Sequence, residues 1–576
     1  MPGFLISNIT TEKVPYIFEN CCHICEKIGN REYTINRNVI SKFSNDRLFF
    51  EANDYIVILD GVILNKSELL KDQENAKWGE YVLKKIESDP LYFDMFRGTF
   101  CGAHYDKKQQ KWLIYTDIMS TKPLFYYFDK EHFIISEDML VIVDILKENG
   151  IPYRIDDKAV YDDLTYGYMI GNRTLIDSIK KVPYGSYVEY SNKELKISRY
   201  YDFEYNVGHN VLDEREIIEK MDLLFKKAIE LEFEKDKEYG YSHFVTLSGG
   251  CDSRMDTWIA KSMGYDDILN VCICEADMLD EKCAKKVSQK IGTEFVVKTL
   301  NGGGFLSNFR DIAAKGYGLV NYAGISPLVS VLNIVDKEKF GLVHTGELGD
   351  VVVGTYYDKM YAPRDFVVHS ALNGSKVEDL YDESEELPEK FLMRNRGFNG
   401  CIGTWLTQGH YFETISPFLY REFFEYCIAN IPHDMRKSHY IYNKWIIEKW
   451  PDLGAVPFER FYGGKITDSR LKKYYLIIRH YGIAKCLDWA LRKMGVNKKR
   501  RRFDKTMNPM DKWYCENSEL RDTLNDYYSK TMVALKDAKI ISEEICHDIQ
   551  NQYENGAMDE KMSTITVLSA LELFFL

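Results

Sequence analysis

HFVTLSGGCDSRMDTWIAKSM, His243 to Met263, sets a glycine pair between a short apolar run and a helical repeat. HFVTL reads as a buried strand. Met255, Ile259 and Met263 recur every four residues, which predicts a helix with one apolar face over Arg254 to Met263. Gly249 and Gly250 let the backbone approach a ligand closely and turn N–H groups toward it. Ser248 and Ser253 add hydroxyl donors, and the helix N-terminus adds its partial positive charge. Together they predict a cradle for an anion of pyrophosphate size. Asp252 inside that cradle would repel the anion unless a cation such as Mg²⁺ stood between them. The loop differs from G-x-x-x-x-G-K-[ST], because no lysine follows to hold a terminal phosphate.

Downstream the pattern alternates. ILNVCICE reads as a strand, DEKCAKKVSQKIG as a helix and TEFVVKTL as a third strand, the order of a Rossmann-like parallel α/β sheet with right-handed crossovers. Ligands of such sheets bind outside the carboxyl ends of the strands. Upstream, DEREIIEKMDLLFKKAIELEFEK carries Ile217, Met221, Leu224 and Ala228 at helical spacing. Residues 1–200 are strand-rich instead: YIVILDGVIL, KWLIYTD, PLFYYF and HFIISE are short β-branched or aromatic runs, with one helix expected over WGEYVLKKIES. The expected division is a sheet-based domain over 1–200, a parallel α/β domain over 210–475 and a helical extension over 476–576. The terminal LSALELFFL is too short for a membrane span and contains Glu572, so it reads as a last helix docked on a core.

The bulk numbers exclude several classes. A chain of 576 residues is too long for one core. The net charge of −13 argues against a general nucleic-acid binder. Thirteen scattered cysteines and the start MPGFLISNITTEK, which lacks the basic and apolar parts of a signal peptide, fit a cytoplasmic protein with reduced thiols. Cys21-Cys22-His23-Ile24-Cys25 has no second ligand pair at zinc-like spacing, and its thiols are expected to be buried or half-buried. The basic run at 498–502 reads as a solvated loop.

The SGG-x-DS loop resembles the pyrophosphate-binding loop of the ATP pyrophosphatase superfamily. GLVHTGELGDVVVGTYY, Gly341 to Tyr357, resembles the G-E-G-x-D-E-x-x-G-G-Y turn of asparagine synthetases, although Val351 replaces the second acidic residue. Glu413 to Leu419 resembles the E-x-R-x-P-F-L-D segment, with Ile415 and Tyr420 in place of arginine and aspartate. MPGFLISN, YIVILDGVILNKSEL, FRGTFCGAHYD and GNRTLIDSIKKVPYGSYVEY are similar, in order, to the glutaminase domain of that family. The resemblance implies an Ntn-hydrolase-like αββα sandwich followed by an ATP-pyrophosphatase domain. It implies ATP on Leu247, Ser248, Gly249, Gly250, Asp252, Ser253, Ile273 and Gly346, with Leu247 and Ile273 against the adenine. It further implies Mg²⁺ on Asp252 and Asp350, Glu347 near the attacking amine, and Lys465 stabilising charge on the phosphates and the tetrahedral intermediate.

Departures from the family pattern narrow that expectation. The chain begins Met1-Pro2-Gly3, so the cysteine nucleophile of the glutaminase is missing. The N-G-E turn has become Asp60-Gly61-Val62, and no G-S-D segment precedes Trp78. The reading is therefore an AMP-forming amide ligase whose first domain lacks glutaminase activity. Its expected partners are a small-molecule or peptide carboxylate and ammonia or an amine, with a homo-oligomer left open. The alternatives are intramolecular amide closure, as the resemblance to β-lactam synthetases and lasso-peptide cyclases of this architecture implies, and amidation of a sugar acid, as the similarity to asparagine-synthetase-like proteins of surface-polysaccharide clusters implies. Outside that class stand a tRNA-modifying ATP pyrophosphatase and a non-catalytic scaffold.

Overall fold

Alternation along the strands sorts the first domain into four layers. The structure, a computed structural model, describes residues 1–18, 22–71, 77–206, 213–356, 387–483 and 506–576. Two six-stranded antiparallel sheets lie face to face. One is centred on Gly3–Ser7, Thr34–Ile40 and Phe133–Ser136, and the other on Tyr55–Ile63, Gly98–Asp106 and Lys111–Thr116. Phe4, Ile6 and Ile35 of the first sheet meet Ile56, Ile58 and Ile114 of the second in one buried cluster. Because successive side chains of a strand point to opposite faces, Val57 and Leu59 turn outward against Trp78, Val82 and Ile86 of the helix Trp78–Ser88. Leu5 and Ile134 likewise turn toward the helices Met139–Glu148 and Asp157–Tyr166. The result is an αββα sandwich.

The thiols of Cys22 and Cys25 depart from expectation: both are exposed. The strand His23–Ile28 lies at the sheet's edge, paired with Thr34–Ile40 alone, so most of its side chains face solvent. Cys21 and the basic run at 498–502 lie outside the described residues.

The second half begins with helix α1 (Glu214–Glu238) and a five-stranded parallel sheet, β1 (Ser242–Thr246), β2 (Ile268–Cys274), β3 (Glu294–Thr299), β4 (Phe340–His344) and β5 (Glu413–Ile415). Their spatial order is β3-β2-β1-β4-β5. It reverses between β1 and β4, and at such a switch point the flanking loops part and leave a crevice at the carboxyl edge. Helix α2 (Asp252–Ser262) follows β1 and helix α3 (Leu279–Ile291) follows β2. Helix α4 (Tyr322–Leu332) packs on the sheet with the terminal helix α5 (Met558–Phe575) against it.

Helix α5 has no continuous polar face, its charged residues lying near its two ends, and it is buried along most of its length. It shares one cluster with Val160 and Leu164 of the first domain and with Ile312 and Val329 of the second. The C-terminal region is thus part of the central core. No helix among the described residues is long and apolar enough to cross a membrane.

Candidate active site

The glycine pair sits where β1 hands over to α2, and its own side chains hold it in shape. Ser248 N–H donates to Ser253 Oγ at 3.0 Å, Gly250 N–H to Ser248 Oγ at 3.1 Å, and Gly249 N–H to Asp280 Oδ1 at 3.3 Å. A side chain at Gly249 would meet Glu459 Cβ at 2.7 Å, so the backbones touch only because that residue is glycine. Beneath the loop, the fully buried Arg254 donates to Gly250 O at 2.7 Å, Gly249 O at 2.9 Å and Pro457 O at 3.0 Å. Its guanidinium lies 3.7 Å from the centre of the Phe458 ring.

The second turn, after β4, closes on the first. Any side chain at Gly346 would come within 2.4 Å of Ser253 N, and one at Gly349 within 2.7 Å of Asp252 Cγ. Between them Leu348 is buried with φ of 63°, a left-handed conformation that costs a non-glycine residue about 1–2 kcal/mol. The packing brings Asp252 and Asp350 together: burial first, then the Asp350 charge, raises the Asp252 pKa above the usual carboxylate range. Tyr442 donates to Asp252 Oδ1 at 2.7 Å. Glu347, also burdened by burial and then by Asp350, is raised to about 7, with the Cys401 thiol as hydrogen-bond partner.

These residues line a cleft of about 690 Å³ at the carboxyl ends of β1, β2 and β4. Of the residues expected from sequence, Leu247, Ser248, Gly250, Asp252, Ser253, Ile273, Gly346, Glu347 and Asp350 all stand on its wall. Gly249 is turned away beneath the loop. Lys465 is exposed on the loop after Phe458, with its amide donating to Asp468 Oδ2 at 2.9 Å, and it is not among the lining residues. Among the described residues the cation that does line the cleft is Arg396, whose guanidinium lies 5.4 Å from the Tyr356 ring. Tyr168 from the first half and Met507 from the C-terminal region complete the wall. Arg396, Cys401 and Tyr442 carried no signal along the chain and reach the site from segments remote from both glycine loops; Arg254 directly follows the SGGCDS loop, but its role as a strut was not legible there. Tyr357, the end of the second motif, lies outside the described residues.

In the first domain, Asp60 sits in the strand Tyr55–Ile63 and is filled in by cations. Arg47 Nε lies 2.6 Å from Asp60 Oδ1, and Lys122 Nζ lies 2.8 Å from Asp60 Oδ2. Lys122 also reaches Glu413 at 3.2 Å and Glu137 at 3.6 Å, and Arg47 pairs with Glu413 as well. All five are buried.

A profile of the glutamine amidotransferase domain matches residues 40–201. Over 207 residues the chain is 26% identical to a Methanocaldococcus jannaschii protein provisionally named asparagine synthetase (glutamine-hydrolyzing) 2. The match covers 35% of this chain and 39% of that relative's length. Two solved structures overlap at 9% identity: the allosteric regulatory enzyme of purine biosynthesis (TM-score 0.23, 52% of this chain and 74% of that one) and a B. subtilis glutamine phosphoribosylpyrophosphate amidotransferase complexed with ADP and GMP (TM-score 0.22, 47% and 77%). Likeness at that level bears no weight. The chain is similar to asparagine synthetases, and its first domain to glutamine amidotransferase domains.

Proposed function

We propose that this asparagine synthetase-like chain is an ATP-dependent carbon–nitrogen ligase. A substrate carboxylate oxygen attacks the α-phosphorus of ATP and pyrophosphate leaves. The amine nitrogen then attacks the acyl carbon, and AMP leaves with its oxygen. The observation that carries this reading is the convergence of residues 248–253 and 346–350 on one cleft, with Asp252 and Asp350 side by side next to an apolar wall.

Leu247, Val271, Ile273 and Met507 offer apolar surface to an adenine. Ser248, Gly250 and Ser253 at the N-terminus of α2 offer donors and partial positive charge to phosphates. Asp252 and Asp350 are hard oxygen donors whose mutual repulsion suits a divalent cation. Mg²⁺ bound there would neutralise a leaving pyrophosphate. With its pKa raised to about 7, Glu347 is close to half ionised at neutral pH and suited to take the proton of the attacking amine. Arg396 suits an anionic group of the acceptor. Lys465, on the loop that packs under Gly249, is assigned to charge developing in the second step. Nitrogen comes from free ammonia or an amine substrate, a reading supported by Asp60-Gly61-Val62 standing in place of the N-G-E turn, with Asp60 engaged by Arg47 and Lys122.

The test is ATP–pyrophosphate exchange screened over aspartate, peptides, uronic acids and β-amino acids, with and without ammonium. One acid should drive exchange, and Asp252→Asn should abolish it. Retained exchange in that variant would remove the loop from the mechanism. Incubation with glutamine should release no glutamate; stoichiometric glutamate would restore the glutaminase.

A further inference from the structure

One helical turn along α2 from Asp252, beneath the cleft, lies a second cluster of ionisable side chains that the proposed chemistry does not use. Glu232 and Asp236 occupy successive turns of α1, His243 lies on β1, Asp256 on α2 and His344 at the end of β4. Glu232, Asp236, Asp256 and His344 are fully buried, and His243 is nearly so. Three carboxylates in a dry interior call for compensating positive charge.

The hydrogen bonds divide the cluster into two shells. Asp236 Oδ2 accepts from His344 Nε2 at 2.8 Å and from His243 Nδ1 at 2.9 Å, and its Oδ1 accepts Leu342 N–H at 2.8 Å. Asp236 is therefore saturated and fixes the His344 ring. A carboxylate behind one ring nitrogen is the usual support for a histidine that ligates metal through the other. That other nitrogen, Nδ1, faces Glu232 Oε2 at 3.4 Å. The separation is long for a charge-assisted hydrogen bond, about 2.7–2.9 Å. It equals the edge of a tetrahedron around zinc, about 3.3 Å for bonds of about 2.0–2.1 Å. Glu232 Oε1 and both oxygens of Asp256 are buried without any hydrogen-bond partner. The candidate ligand atoms of Glu232, Asp256 and His344 lie within 4.8 Å of one another.

We propose that Glu232, Asp256 and His344 bind a structural Zn²⁺, with Asp236 and His243 orienting the His344 ring. An imidazole beside two carboxylates favours zinc over Mg²⁺ or Ca²⁺, which prefer oxygen-only sets. The ion ties α1, α2 and β4 together one helical turn below Asp252, and so holds the base of the phosphate loop. It is independent of the ligase reading, since none of its three ligands lines the cleft.

The full chain, purified without a polyhistidine tag or chelator, is assayed for metals by mass spectrometry. One Zn²⁺ per chain is expected. Dipicolinate should remove it and lower the melting temperature, and ZnSO₄ should restore both. Asp256→Asn and Glu232→Gln should each weaken zinc binding at least tenfold, and Asp236→Asn by about 10–100-fold, whereas Asp252→Asn should keep its zinc. A chain that carries no zinc and takes up none from ZnSO₄ overturns the proposal, whether or not the variants fold. So does an Asp256→Asn protein that retains stoichiometric zinc.

Discussion

Replacing Arg254 by lysine keeps the charge but not the fork. The guanidinium reaches three carbonyls on two segments, Gly249 and Gly250 in the loop and Pro457 across from it, and lies against Phe458. A single ammonium on a shorter stem retains one of those bonds. Two lost charge-assisted bonds at about 1.5 kcal/mol each, with about 0.5–1 kcal/mol for the ring contact, make roughly 3–4 kcal/mol. For a domain of this size, about 2–4 °C per kcal/mol places the melting transition lower by on the order of 10 °C. Freed carbonyls also let the loop rotate, so ATP binding should weaken at least tenfold. Scanning fluorimetry with and without ATP·Mg²⁺ measures both effects on one sample. If Arg254→Lys melts within about 2 °C of the native chain and binds ATP equally well, Arg254 is not the strut described.

Glu347→Gln should abolish the alkaline-rising limb of the amide-forming rate, whose midpoint lies near 7 in the native chain. The linked stability has the opposite sense. The native chain binds this proton more tightly than the unfolded chain does, so its stability falls as pH rises from about 4.5 to about 7. The glutamine variant should therefore melt higher than the native protein at pH 8 and equally at pH 4; equal melting at pH 8 would deny the burial of Glu347. Gly349→Ala places a methyl 2.7 Å from Asp252 Cγ, at a cost of about 1–3 kcal/mol. Pyrophosphate exchange should be lost while the fold persists, and an active alanine variant would show that Asp252 has room to move. Lys465→Ala should slow amide formation and leave ATP affinity intact, because the side chain stands off the cleft wall. An equal loss in ATP affinity would put Lys465 on the phosphates of the resting protein.

Local patterns in the chain carried much of the architecture. The β-branched and apolar run YIVILDGVIL anticipated the strand Tyr55–Ile63, and WGEYVLKKIES coincides with the helix Trp78–Ser88. The four-residue repeat of Met255 and Ile259 anticipated α2, two residues short of its observed start. Such signals are legible because period and turn chemistry act between residues close along the chain. The two glycine turns were legible for the same reason: each is a strand–turn unit whose backbone needs are written in its own residues.

What required the folded chain was everything that depends on two distant segments meeting. Gly346 and Gly349 matter because they pack on Asp252, and no local pattern states that distance. Lys465 occupies the expected place in the motif series, yet its loop turns the side chain to solvent, while Arg396 arrives at the cleft unannounced. The SGGCDS loop could thus be read from sequence as a tight turn between a strand and a helix, because its glycines and serines write that turn locally. The pairing of Asp252 with Asp350, and of Glu232 and Asp256 with His344, arises only when strand order sets α1, α2 and β4 side by side. Burial and charge proximity are properties of that packing, and they have no period along the chain.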